Sequence, residues 1–445
     1  MSREAILAAV KAAGVVGAGG AGFPTHTKLA ASADAIIANG AECEPLLQVD
    51  RELLSHYLDE VLVGLEVARE TVGAERAYLA VKAKYEALIT QLRTAVASRP
   101  WLQIAPLPDI YPIGDEQRLV YEVLGRIVPA RGIPIQVGAV VLNVETLYNI
   151  AGAYVGQPVI NTYITVNGAV AEPGTWAVPV GTTIQDVIKW ASPVLEPSEL
   201  AVIEGGPMMG RLVEDLSQPV TKTTKGLIIL PQFHTVVTRL RSEAAALRRA
   251  FSVCSQCTMC TDLCPRHLLG HPLWPHRIMR SLAGSTASDP EAIAGALLCS
   301  ECGVCDSYAC FMGLSPRQVN QALKQQLSTH AKPQFVNLDE VREGFAASQI
   351  PSQRLTYRQD LVRWVKDAPF MGTLPEPDRV LIRLDQHVGM TAHCVLELGQ
   401  EVSPGTLVGN LPDGELGALV HSSIHGVVCG IEDEVVIIER GGRDG

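Results

Sequence analysis

The sequence predicts four structural units in series: an α/β domain with a parallel sheet, a small β-rich module, a helical region organised by cysteines, and a C-terminal all-β unit. Three observations carry this. From Ala33 to about residue 155, apolar strand-like runs alternate with helix-period stretches, the pattern of parallel βαβ units. Residues 254–310 hold eight of the eleven cysteines. After residue 376, short β-rich runs are separated by turns containing Gly, Pro and Asp.

In chain order, a helix is expected over 2–13, with Ile6, Leu7 and Val10 on one face. Gly17-Ala18-Gly19-Gly20-Ala21-Gly22-Phe23-Pro24-Thr25-His26-Thr27-Lys28 follows. So many glycines let backbone N–H groups approach a phosphate without Cβ obstruction, and Lys28 can add charge. Gly17-x-Gly19-x-x-Gly22 has the spacing of a dinucleotide fingerprint, yet it follows a helix instead of a strand. Alone, it leaves a phosphate loop and a flexible glycine turn both open. A strand at Ala33–Ala38 then ends in Asn39-Gly40-Ala41-Glu42-Cys43-Glu44-Pro45. Helix 50–70, strand 76–82, helix 84–97 and a strand near 102–107 come next. Tyr111-Pro112-Ile113-Gly114-Asp115-Glu116 leads into helix 116–127, and strand 137–142 ends in Asn143-Val144-Glu145-Thr146 before a last helix. In such a sheet the ligand crevice lies at the strand carboxyl ends, so the three polar turns are expected to converge there with the glycine loop.

The cysteines read Cys254-x2-Cys257-x2-Cys260-x3-Cys264-Pro265 and Cys299-x2-Cys302-x2-Cys305-x4-Cys310. Three thiolates at successive i, i+3 steps wrap three corners of a cubane, and a more distant fourth closes it, so two [4Fe–4S] clusters are expected. A structural zinc site would use separated Cys-x2-Cys pairs and leave the middle cysteine of each triplet idle. In two-cluster ferredoxins the cysteine before proline ligates the other cluster. By that analogy Cys254, Cys257, Cys260 and Cys310 hold one cluster, and Cys299, Cys302, Cys305 and Cys264 the other. His267, His271 and His276 lie nearby but are not needed as ligands. Cys43, Cys394 and Cys429 read as small buried apolar residues.

Composition narrows the function classes. The chain has 445 residues, 47% hydrophobic and 5% aromatic, enough for three or four cores. A net charge of −11 argues against nucleic-acid and anionic-membrane surfaces. No apolar run approaches the ~18 residues of a spanning helix, and no signal-peptide pattern opens the chain, so a soluble cytoplasmic protein is expected. Free thiolates in this number fit a reducing compartment.

Taken in order, the glycine loop through Lys28, Asn-Gly-Ala-Glu-Cys-Glu-Pro, Tyr-Pro-x-Gly-x-Glu and Asn-Val-Glu-Thr-Leu resemble the FMN and NADH motifs of the complex I flavoprotein subunit and of the NADH-oxidising subunit of the Rnf complex. The resemblance implies that Gly17, Gly19, Gly20, Gly22 and Lys28 surround the FMN phosphate, and that Asn39, Glu42, Asp115, Glu116, Asn143 and Thr146 surround the flavin. It gives Glu116 the NADH-to-flavin step, and matches Phe23 to a residue that stacks on the adenine of the nicotinamide cofactor. The chain departs from complex I at Ala41, where that pattern has Asp, and at Ala31, where no second stacking Phe stands.

Residues 158–230 turn β-rich, with runs at Ile160–Val166, Trp176–Val180 and Leu227–Leu230 and a helix over 183–192. They resemble the β-grasp, SLBB-like module of the same families, with Gly205–Gly210 as a turn. Helices 238–251 and 316–328 are expected to bracket the cysteines, and residues 331–372 read as a linker with a helix near 356–366. The last unit, with runs at Val380–Leu384, Val395–Leu398, Leu407–Gly409, Gly426–Ile431 and Val435–Glu439, resembles a lipoyl-type barrel-sandwich hybrid. A lipoyl or biotinyl arm needs a lysine, and none follows Lys366. The expected units are 1–155 (FMN/NADH-binding α/β domain), 156–235 (β-grasp), 236–330 (two-[4Fe–4S] ferredoxin-like), 331–372 (linker) and 373–445 (barrel-sandwich hybrid).

A flavin domain that opens the chain and a hybrid that closes it resemble the cobalamin reductases of propanediol-utilisation microcompartments. The resemblance implies NADH oxidation at FMN, transfer along both clusters and reduction of cobalamin from cob(III) towards cob(II) and cob(I). It also implies a cytoplasmic microcompartment setting, with an adenosyltransferase and shell proteins as candidate partners. A flavin between a two-electron donor and one-electron clusters converts electron pairs into single electrons. The rival is a soluble Rnf-like NADH dehydrogenase serving ferredoxin, flavodoxin or another microcompartment partner. A third reading is a conducting scaffold that binds no NADH. Asp385-x-His387-x-Gly389 falls one residue short of a cobalt-ligating Asp-x-His-x-x-Gly loop, which leaves His387 as a turn histidine or a cobalt ligand.

Overall fold

The N-terminal third lays down five strands, β1 (Ala35–Gly40), β2 (Arg76–Lys82), β3 (Leu102–Leu107), β4 (Ile110–Tyr111) and β5 (Ala139–Asn143). The computed structural model describes residues 1–241, 253–283, 289–327, 333–336 and 338–441. Four of the strands form a parallel sheet in the order β3-β2-β1-β5. Because β2 and β3 extend the sheet from one side of β1 and β5 from the other, the order reverses between β1 and β5. That reversal opens a crevice at their carboxyl ends, at Asn39 and Asn143. Helices α1 (Arg3–Ala12), α2 (Thr25–Leu29), α3 (Val49–His56), α4 (Leu58–Val72), α5 (Glu86–Val96), α6 (Glu116–Leu124) and α7 (Val144–Tyr154) complete this part. Ile36, Leu62, Leu65, Leu79 and Leu147 are fully buried in its core.

The second sheet has the order β12-β7-β6-β10-β8-β9, built from β6 (Asn161–Gly168), β7 (Gly174–Pro179), β8 (Leu200–Glu204), β9 (Arg211–Leu212), β10 (Gly226–Pro231) and β12 (Phe370–Thr373). The cysteine region is helical, with short helices including Met259–Asp262, Pro265–Leu268, Pro275–Ala283 and Pro316–Leu327 around Leu273, Ile278, Met279 and Val319. At the C-terminus Arg379–Arg383, Val435–Glu439, Gly426–Glu432 and Glu401–Val402 form one antiparallel sheet, and His393–Cys394, Leu407–Asn410 and Val420–His421 another. Val380, Ile382, Val408, Val420 and Ile438 fill the space between them.

Several elements differ from expectation. The single helix over 50–70 is two, broken at Tyr57 (φ −128°, ψ 34°), whose ring leaves the helical path to pack against Tyr148, Tyr163 and Phe370. The short strands β8 and β9 were not legible, and the expected Val395–Leu398 strand lies earlier, at His393–Cys394. Of the expected helix 238–251, the structure shows Thr235–Leu240, and 242–252 lie outside the described residues. Residue 328 at the end of the expected helix 316–328 lies outside them too. The described part of the expected 331–372 linker is a packed strap. Its strand β11 (Ile350–Pro351) pairs with β4, its helix spans Ser352–Arg358, and β12 pairs with β7. Proline and mixed charge removed the helical period here, but backbone pairing needs none. Cys429 is exposed and Cys394 half-buried, so burial does not explain Cys429.

Gly64 lets α4 lie directly on α7, since an added Cβ would collide with the Leu147 carbonyl oxygen. Gly64→Ala must therefore push α7 away, at a cost of about 2 kcal/mol or more. A chemical denaturation curve should show that loss. FMN content should fall with it, because α7 carries Thr146 and is capped by Asn143.

Candidate functional site

The glycine loop folds back on itself, Gly17 N–H donating to the Phe23 carbonyl (2.8 Å) and Gly22 N–H to that of Gly17 (3.1 Å). It is pinned to the crevice by Ala18 N–H donating to the buried Thr146 hydroxyl at 2.9 Å. Gly20 holds φ +106°, a conformation that side chains resist, with nothing within 4 Å of an added Cβ. Gly19, Gly20 and Ala21 are exposed, and no protein acceptor takes their N–H groups among the described residues. Three free donors beside the carboxyl end of β5 form a cradle suited to a phosphate. Phe23 is half-buried at the root of this loop.

Side chains from the other motifs meet the loop. Lys28 pairs with Glu116 at 2.8 Å, which joins α2 to the first turn of α6 across the crevice. Asn39 donates to the Gly114 carbonyl (3.0 Å) and accepts from Ala41 N–H, locking the second motif to the third. Asn143 caps α7 through Glu145 N–H and donates to Asp50 at 2.8 Å. Asp115 caps α6 with Oδ1, accepting from Gln117 and Arg118, while Oδ2 pairs with Arg266 at 2.7 Å. Both of its oxygens are thereby engaged, which ties the start of α6 to the cysteine region. Glu42 accepts from Asp50 N–H (3.3 Å).

Sequence reading singled out Glu42 but passed over the charges packed around it. Burial pushes the Asp50 carboxyl up to about 7, and burial with the facing Asp50 charge raises Glu42 as well. Glu145, also raised by burial, pairs with Lys225. Burial lifts Glu44 to about 7 although Met208 and Met209 N–H groups donate to it at 2.8 and 2.9 Å. Asp50, Lys225 and Met208 sit in three different parts of the chain, so no local spacing could announce them.

The eight cysteines fall into two quartets. Cys264, Cys299, Cys302 and Cys305 line one pocket together with Arg266, Arg317 and Asn320. Cys254, Cys257, Cys260 and Cys310 line a second, with His276, Met279 and Met312. Among the described residues no three His, Cys, Asp or Glu side chains converge as a single ion requires. Four thiols lining one pocket instead suit a cubane, whose thiolates stand apart around an inorganic core. Each nearby histidine has one ring nitrogen bonded: His267 to the Leu273 carbonyl (2.9 Å), His271 to that of Val128 (2.9 Å) and His276 to the Thr261 hydroxyl (2.7 Å). His387 bonds the Met390 carbonyl at 2.9 Å in a turn packed on Gly22.

The first quartet touches the crevice. Tyr111 donates its hydroxyl to the Cys302 carbonyl at 2.6 Å, and Tyr111, Cys43, Met208, Cys302 and Val304 share one apolar cluster. The second quartet faces outward: Cys257 is exposed, as are Val253, Met259, Phe311 and Met312 near it.

Comparison with known families follows the same division. Residues 10–152 match the Nuo51 FMN-binding domain, 163–212 the SLBB domain, 253–315 the 4Fe-4S dicluster domain and 366–442 the RnfC barrel sandwich hybrid domain. The cobalamin reductase PduS of Salmonella typhimurium is 40% identical over 445 residues, covering 99% of this chain and 98% of that protein. That of Citrobacter freundii is 42% identical over 437 residues, 97% and 96% of the two chains. The chain belongs to the cobalamin reductase family. A component of the Na(+)-translocating ferredoxin:NAD(+) oxidoreductase complex of Acetobacterium woodii is 36% identical over 277 residues, 60% of this chain and 59% of that protein. An NAD+-reducing [NiFe]-hydrogenase in its H2-reduced state overlays with a TM-score of 0.50 at 26% identity, covering 75% of this chain and 64% of that one. The chain thus carries an FMN-binding domain and a 4Fe-4S dicluster domain. Among the described residues no helix is long and apolar enough to cross a membrane.

An added Cβ at Gly19 meets only Asn143 Cβ, at an ordinary 3.7 Å, so the protein itself tolerates it. Gly19→Val should leave the melting curve in place yet lower FMN content, and unchanged FMN would place the phosphate elsewhere. Because the Asp50 carboxyl rises on folding from 3.8 to about 7, its contribution to stability is full at low pH and lost as pH climbs through 7. Asp50→Asn should flatten that decline in melting temperature between about pH 4 and 8.

Proposed function

We propose that this chain oxidises NADH at FMN in the crevice between β1 and β5, passes single electrons through the Cys264/Cys299/Cys302/Cys305 quartet to the Cys254/Cys257/Cys260/Cys310 quartet, and reduces cobalamin. The observation that carries the reading is the direct junction of crevice and first quartet, through Tyr111 to Cys302 and Asp115 to Arg266. FMN, when bound, supplies the exchange between a hydride and single electrons.

The chain's own residues do the rest. The glycine-loop N–H groups and Lys28 bind the phosphate, while Glu116, held by Lys28, orients the nicotinamide side of the crevice. The Asp50–Glu42 pair retains a proton near neutral pH, which keeps two facing carboxylates from both ionising beneath the site. The two quartets would hold clusters that exchange electrons singly, and the second, exposed at Cys257, forms the outlet. In this reading cobalamin is reduced there without a cobalt ligand from the protein, since Nε2 of His387 bonds the Met390 carbonyl and its Nδ1 is buried. The similarity to the two cobalamin reductases along nearly the whole chain supports a role in cobalamin reduction; to this we add a propanediol-utilisation microcompartment as its setting, an adenosyltransferase as the partner that consumes the reduced corrin and shell proteins as neighbours.

NADH should bleach the flavin and convert cob(III)alamin to cob(II)alamin under anaerobic conditions, with cob(I) trapped only by an alkylating or adenosylating partner. Glu116→Ala should slow flavin bleaching, whereas Cys302→Ser should leave bleaching intact and slow corrin reduction at least tenfold, about 1.4 kcal/mol of barrier. Ready reduction of ferredoxin with none of corrin would favour the Rnf-like reading.

A further inference from the structure

The two quartets differ in what lines them. Around Cys264, Cys299, Cys302 and Cys305 stand three side chains with buried polar atoms that have no hydrogen-bond partner in the protein: Arg266 Nη1, Arg317 Nε, whose nearest charge is Asp306 Oδ2 at 3.5 Å, and both amide atoms of Asn320. No such orphan lines the other cavity among the described residues. Buried polar groups rarely go unpaired, and each orphan costs about 1–3 kcal/mol unless something absent from the protein accepts from it.

We propose that Arg266, Arg317 and Asn320 donate hydrogen bonds to the sulfur atoms of the cluster held by Cys264, Cys299, Cys302 and Cys305, and thereby raise its potential as the first acceptor of flavin electrons. This rests on the two-cluster reading. The reduced cluster carries one more negative charge on its core, so N–H donors stabilise it more than the oxidised one. Net charge is not the main lever. Arg266 is offset by Asp115 at 2.7 Å and Arg317 by Asp306 at 3.5 Å, so what remains for the cluster is the direction of the N–H bonds. Docking fixes that direction: Asp115 belongs to the FMN-binding domain, and Arg317 Nη1 also donates to the Met208 carbonyl of the β-grasp module. The donors therefore reach the cluster only when all three units are assembled.

Redox titration of the anaerobic holoprotein, followed by EPR, tests this. The two cluster signals are assigned by their loss in Cys302→Ser and Cys257→Ser. Arg266→Lys and Arg317→Lys keep the charge but lose the fork, and Asn320→Leu loses the amide. Each should move the midpoint of the Cys302 cluster to more negative potential and leave that of the Cys257 cluster in place. Parent holoprotein grown with guanidino-15N arginine should show nitrogen coupling to the reduced Cys302 cluster alone, a readout that stands even if a variant fails to fold. An unmoved midpoint in the folded variants, an equal shift of both clusters, or absent arginine coupling would overturn the inference while leaving the two-cluster reading intact. Protein lacking two clusters would overturn both.

Discussion

The structure depends on one junction, where the turn Tyr111–Glu116 presses the FMN-binding domain against the first cysteine quartet. Tyr111 meets the Cys302 carbonyl, Asp115 meets Arg266, and β11 pairs with β4 to hold the turn from behind. Asp115 and Arg266 are mostly buried, so removing either would strand a charge at about 3–5 kcal/mol. The same six-residue turn thus caps α6, shapes the crevice and sets its distance from the first metal centre. A change there cannot alter one of these without the others.

The remaining units serve that junction. The β-grasp sheet places Met208 and its neighbours beside Glu44 and Arg317, and the strap 338–372 runs from the cysteine region back to close this sheet with β12. The barrel-sandwich hybrid, having no lysine for a swinging arm, acts as a buttress: Val388 N–H donates to the Gly22 carbonyl, and buried Lys222 donates to carbonyls of both Gly14 and Leu419. The glycine loop is therefore held from two sides while its tip stays open.

Much of this was legible in the sequence because the signals were local. Helix and strand periods gave the parallel sheet, and Cys-x2-Cys-x2-Cys carries its own geometry. What escaped depended on distant partners. Asp50 looks like an ordinary first-turn helix acid until Asn143 and Glu42 close over it, and Arg266 looks like a solvated charge until Asp115 reaches it. The strap escaped for a related reason: two-residue strands bound only by backbone pairing leave no hydrophobic period to read.

The central claim is the order of electron flow, from the crevice to the quartet at Cys302 and then outward to the quartet at Cys257. Rapid freeze-quench EPR after mixing the anaerobic protein with NADH tests it most directly. The account predicts that the signal lost in Cys302→Ser rises first and the signal lost in Cys257→Ser follows. The reverse order, or reduction of the Cys257 cluster at the parent rate in the Cys302→Ser variant, would contradict it.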